Sequence, residues 1–104
     1  MKTRLKPATA AAATALTLAF AAGPLHAQVG ATGRLLASNC FQCHGTNGKG
    51  PGFDDIAGKS VGEIAKKLKE FRAGKEGNGI MAKHANGYTD EQLVLLDKWL
   101  STQR

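Results

Sequence analysis

The chain has 104 residues, with 14 Lys and Arg against 8 Asp and Glu, and two cysteines. That length holds one small domain, and two cysteines allow a single pair. The formal charge of +6 is inflated by Lys2, Arg4 and Lys6 at the extreme N-terminus; without them 11 basic residues face 8 acidic ones, a balance of +3 too modest to imply nucleic acid.

That positive start leads into an apolar run over residues 8–22, followed by Leu25-His26-Ala27 as a cleavage site. The order predicts a secretory signal peptide over residues 1–27, and export places the protein in the periplasm. The run is too short for a membrane span, so the 77-residue mature form is expected to have none. A chain that short buries little of its own surface and is expected to need a bound apolar group to fold. A helix is predicted over residues 30–43, with Leu35 and Leu36 facing inward and Gly33 admitting a close neighbour.

The end of that helix carries Cys40-Phe41-Gln42-Cys43-His44. Two residues between the cysteines let both sulfurs reach the vinyl groups of one porphyrin, and the next position lies beneath its iron. One covalently attached haem c is therefore expected on Cys40 and Cys43, with His44 as an axial iron ligand. A redox disulfide would sit at a strand-to-helix turn, and no strand-like alternation precedes Cys40. A structural zinc would need four ligands in two pairs, and His44 and His84 do not form a second pair.

Residues 45–58 read as a loop carrying five glycines and Pro51. Such a loop can set a backbone carbonyl against the free ring nitrogen of His44 and so fix the ring. Phe53 and Ile56 are expected to touch the haem or join the core. The second helix starts at a capping box, Ser60 with Glu63, and stops at Gly74; Val61, Ile64, Ala65, Leu68 and Phe71 share its apolar face. Lys66, Lys67, Lys69, Arg72 and Lys75 read as a solvated helix face, with a docking surface for an acidic redox partner as the other reading.

Met81 follows a loop-like Gly77-Asn78-Gly79-Ile80 and is the one methionine besides Met1, which marks it as the second axial ligand. His84, three residues on, is its rival. The last helix opens with the pair Thr89 and Gln92. It carries Leu93, Leu96 and Leu100 on one stripe and Leu95 and Trp99 on the next, with Trp99 as an anchor to the first helix.

Residues 30–104, through Cys40 to Gly45, Ile56-Ala57-Gly58 and Met81, resemble a class I cytochrome c. A closer similarity, carried by Ile56-Ala57-Gly58-Lys59-Ser60, Phe71-Arg72-Ala73-Gly74-Lys75 and Gly87-Tyr88-Thr89-Asp90-Glu91-Gln92, is to the small cytochrome subunit of flavocytochrome c sulfide dehydrogenase. The resemblance implies an all-α, monohaem fold with crossing N- and C-terminal helices, residues 28–104 forming the cytochrome domain. It also implies outer-sphere electron transfer rather than catalysis, with electrons taken from a sulfide-oxidising flavoprotein. Asp54-Asp55 depart from that family's approach to Ile56, and His84 is unusual beside the ligand. The exposed haem edge is expected to be bordered by Phe41, Gln42, Ile80 and Ala82. The alternatives are a freely diffusing carrier to a terminal oxidase or other dehydrogenase, and a haem enzyme or sensor with an open iron site.

Overall fold

A computed structural model describes residues 2–15 and 25–104; residues 16–24, part of the expected apolar run, lie outside it. Among the described residues there are five α-helices and no strand: α1 Leu25–Ala37, α2 Phe41–His44, α3 Glu63–Arg72, α4 Ile80–Asn86 and α5 Asp90–Ser101. No helix among them is long and apolar enough to cross a membrane. The expected all-α architecture is the observed one.

The first helix differs from the predicted span of 30–43. It starts at Leu25 and ends at Ala37, where a 3-10 turn, Ser38–Cys40, tightens the chain before α2. The expected cleavage site falls in the first turn of α1, where residues 25–29 are all exposed. Packing begins deeper, at Gly33. A Cβ there would stand 2.6 Å from Leu95 O and 2.7 Å from Trp99 Cβ, so only glycine lets α1 lie this close across α5. Leu36 packs against the core, but Leu35 points away from α5 and is 72% exposed, against expectation.

The final helix follows its sequence. Thr89 Oγ1 accepts from Gln92 N at 3.2 Å, and Gln92 Oε1 accepts from Thr89 N at 2.9 Å, closing the predicted capping box. Leu93, Leu96 and Leu100 are fully buried, each contributing about 1.5–3 kcal/mol by leaving water. Trp99 joins the elements as expected, its ring 5.9 Å from that of Phe41 in α2.

The start of α3 is a correction. Its N-cap is Gly62, with no side-chain cap bond, and Ser60 offers only its backbone carbonyl, to Glu63 N at 3.0 Å. The cap comes from another helix. Asp97 of α5, 2% exposed, accepts from Gly62 N at 2.7 Å, Ile64 N at 2.9 Å and Ala65 N at 3.1 Å. A carboxylate at a helix N-terminus meets both orphan donors and the positive dipole end, and so displaces a serine hydroxyl. With the helix opening at Glu63, Val61 precedes it and is 66% exposed rather than on its apolar face. The stop at Gly74 is as predicted: Gly74 N donates to Phe71 O and Lys75 N to Glu70 O, the two bonds of a Schellman end.

Candidate haem site

Between the helices lies a cavity of about 340 Å³ that gathers every residue singled out from the motif. Cys40, Cys43 and His44 reach it from the 3-10 turn and α2, and Met81 and His84 reach it from α4. The remaining wall is mainly apolar: Ile64, Leu68 and Phe71 from α3, with Phe53, Ile56 and Ile80. The loop-like stretch before Met81 ends at Gly79, not Ile80: Ile80 opens α4, and Met81 lies in its first turn, half-buried against the core.

The wall bearing His44 is built by one continuous stretch. The α2 carbonyls, left orphaned at a helix end, are satisfied by the loop that follows: Phe41 O accepts from Gly45 N, His44 O from Gly50 N, and Cys43 O from Phe53 N at 2.8 Å. Gly52 passes so near that a Cβ would stand 2.3 Å from Cys43 O, and its φ of +141° suits glycine alone. The turn brings Asp54 O within 2.7 Å of His44 Nδ1. A carbonyl only accepts, so Nδ1 carries the proton and the Nε2 lone pair is left to bind a metal. The predicted orienting carbonyl is thus Asp54, and the unusual Asp54-Asp55 pair has a place: Asp55 Oδ1 accepts from Ala57 N at 2.9 Å, turning the chain toward Ile56.

The wall bearing Met81 is held from a corner at Tyr88. Its hydroxyl donates to Leu36 O at 2.8 Å and accepts from Asn39 Nδ2 at 3.1 Å, tying α1 and the 3-10 turn to the chain after α4. Arg72 donates to Tyr88 O at 3.1 Å and to the Asp90 carboxylate. Burial pushes the Tyr88 phenol above its ordinary pKa, against the Asn39 hydrogen bond, so the hydroxyl remains a donor. Burial, then the neighbouring Cys43, likewise raises the Cys40 thiol.

Two surface expectations change. Ala82 is 6% exposed and Phe41 packs on Trp99, so of the four residues expected at the exposed edge only Gln42 and Ile80 lie open. In the basic cluster, Lys67 pairs with Glu76 and Glu70, and Lys69 and Arg72 pair with Asp90. Lys66 and Lys75 alone stay outside these pairs among the described residues, which favours the solvated-face reading over docking.

Sequence reasoning passed over Asp97 and Tyr88. A signal for Asp97 was present. Positions 93, 96, 97 and 100 follow the i, i+3, i+4, i+7 pattern of a buried stripe, and a carboxylate on such a stripe needs a partner. Tyr88 carried no comparable local signal, because its partners lie 49 and 52 residues away.

Two thiols, an imidazole with a free Nε2 and a thioether around an apolar cavity suit a flat, apolar, iron-bearing group. Among the described residues no three His, Cys, Asp or Glu side chains are arranged to hold a bare metal ion. A family model described as cytochrome c matches residues 30–103. The cytochrome subunit of sulfide dehydrogenase from Chlorobaculum tepidum is 35% identical over 68 residues, covering 64% of this chain and 62% of that protein. The chain thus spans less than two thirds of that relative. A cytochrome c-553 from Helicobacter pylori is 35% identical over 72 residues, covering 66% of this chain and 75% of that one. The chain therefore belongs to the cytochrome c family as a class I member, with covalently bound haem c as its cofactor.

Proposed function

We propose that Cys40 and Cys43 form the two thioether bonds, and that His44 and Met81 are the axial ligands of the iron. The observation that carries this reading is the His44–Asp54 hydrogen bond of 2.7 Å, which fixes the imidazole in the cavity that both thiols and Met81 line. Bound haem supplies one-electron exchange at its iron. The chain's own residues tune that exchange. Asp54 O strengthens His44 as a donor, Met81 favours the reduced metal, and the α3 side chains keep water from the ring. Gln42 and Ile80 border the edge through which outer-sphere transfer runs.

The protein acts in the periplasm after loss of residues 1–27, a reading supported by the order of charged, apolar and small residues there. Its electrons come from a sulfide-oxidising flavoprotein; the 35% identity to a sulfide dehydrogenase cytochrome subunit supports this.

In ferric protein, Met81→Ala abolishes the weak near-infrared methionine–iron band while His84→Ala keeps it. A band that survives Met81→Ala sinks the ligand assignment. For the partner, the native protein co-elutes with a chain that shows flavin fluorescence on release. Elution without flavin favours the freely diffusing carrier instead.

A further inference from the structure

His84 lies one turn beyond Met81 on α4, and residues three apart share a helix face. Both line the haem cavity. His84 is exposed, and no hydrogen bond or ion pair among the described residues engages its imidazole. It also lines a second cavity of about 410 Å³, beside Ser38, Gln42 and Lys83, so its ring stands at the boundary between an apolar and a polar space.

The helix that carries both residues is lightly held. It has seven residues, its N-cap Gly79 makes no side-chain cap bond, and its buried residues are Ala82 and Ala85, which pack through single methyl groups. Small side chains leave a helix fewer interlocking contacts to break when it shifts.

We propose that His84 is a reserve ligand, which takes the sixth position of ferric iron when the Met81 sulfur leaves it. This rests on the assignment of Met81 as the resident ligand. In the exchange the iron–sulfur bond breaks and an iron–nitrogen bond forms from a neutral imidazole. No electron moves, and any proton on that nitrogen goes to water. Oxidised iron is the harder acid and suits imidazole, whereas the soft thioether suits the reduced metal. The exchange keeps the iron six-coordinate and closed to small molecules, and lowers its potential.

The test uses ferric holoprotein in four forms: wild type, Met81→Ala, His84→Ala and the double variant. Visible and electron paramagnetic resonance spectra report the spin state, and titration with added imidazole reports the access. Met81→Ala is expected to stay low-spin without the near-infrared band, and the double variant to become high-spin. The double variant should bind imidazole at least about tenfold more tightly, because no internal ligand competes. Met81→Leu repeats the comparison with the cavity wall filled, in case alanine loosens the fold. A Met81→Ala protein that is already high-spin and binds imidazole as tightly as the double variant overturns the proposal. A near-infrared band unchanged in Met81→Ala removes the Met81 assignment, and this proposal with it.

Discussion

The two walls of the cavity that carry His44 and Met81 are held by different means. Around His44, residues 41–54 form one closed circuit in which backbone donors of the loop return to the carbonyls of α2, and Asp54 O returns to the imidazole. Around Met81, a seven-residue helix rests on two alanines, and its order is borrowed from Tyr88, Arg72 and Asp90 beyond its end. A wall closed by local backbone bonds fixes its side chain almost independently of the rest. A wall held by contacts distant in sequence fixes its side chain only while the whole fold is intact.

The largest expected effect removes the group both walls enclose. Cys40→Ala with Cys43→Ala prevents attachment, and the chain should lose cooperative unfolding in circular dichroism, since a domain this small has only about 5 kcal/mol in reserve. A compact apo-protein that melts sharply would show that the walls stand without haem. Next is Asp97→Ala, which strips the Gly62 N-cap and two α3 residues, Ile64 and Ala65, of the acceptor for their backbone donors and loosens the α3 wall of the cavity. The expected cost is about 3 kcal/mol by chemical denaturation, and a cost under about 1 kcal/mol would mean that water replaces the carboxylate.

Gly52→Ala strikes the His44 wall alone. Strain and the clash with Cys43 O should cost about 2 kcal/mol and raise the reduction potential, because a displaced Asp54 carbonyl leaves His44 a weaker donor. An unchanged potential would separate the loop from the imidazole. Tyr88→Phe strikes the Met81 wall. It keeps the ring and loses the bonds to Leu36 O and Asn39, for about 1 kcal/mol. The near-infrared band should weaken at a lower temperature than in the wild type, while the imidazole side is unaffected.

The smallest effect is acidic. The hydrogen bond from Arg72, then Lys69, holds the Asp90 carboxyl below its ordinary value of 3.8. A depressed folded pKa stabilises the fold above the ordinary value, and the benefit is lost as pH falls through the folded one. Wild type should exceed Asp90→Asn slightly in melting temperature at neutral pH, with the gap closing below pH 3.8. A gap that persists there would place the effect elsewhere than in the ion pair.

Legibility in the sequence tracks the same division. The Thr89–Gln92 box, the leucine stripe of α5, the close approach at Gly33 and the stop at Gly74 were all predicted, and each depends on residues within a few positions or on one helix face. The carbonyl facing His44 was predicted in kind, because a glycine-rich loop of that length must return to the helix it leaves. The box at Ser60 failed because the helix opens two residues later, at Gly62, where Asp97 arrives from 35 residues away and takes the first-turn donors, while Glu63 N turns to the Ser60 carbonyl. Val61 was misplaced because it precedes the first residue of α3, and Leu35 because the packed face of α1 runs through Gly33, Leu36 and Ala37, which leaves position 35 outside it.

The sequence alone determined the cofactor chemistry and the helical class, since thiol spacing, an adjacent imidazole and helical periodicity are local properties. Tertiary structure alone decided that Met81 rides on a helix with His84 beside it, that a buried carboxylate starts α3, and that the lysines of α3 are largely spent on ion pairs. Those outcomes depend on which distant groups meet at a helix end or across a cavity, and on which of the competing partners is charged.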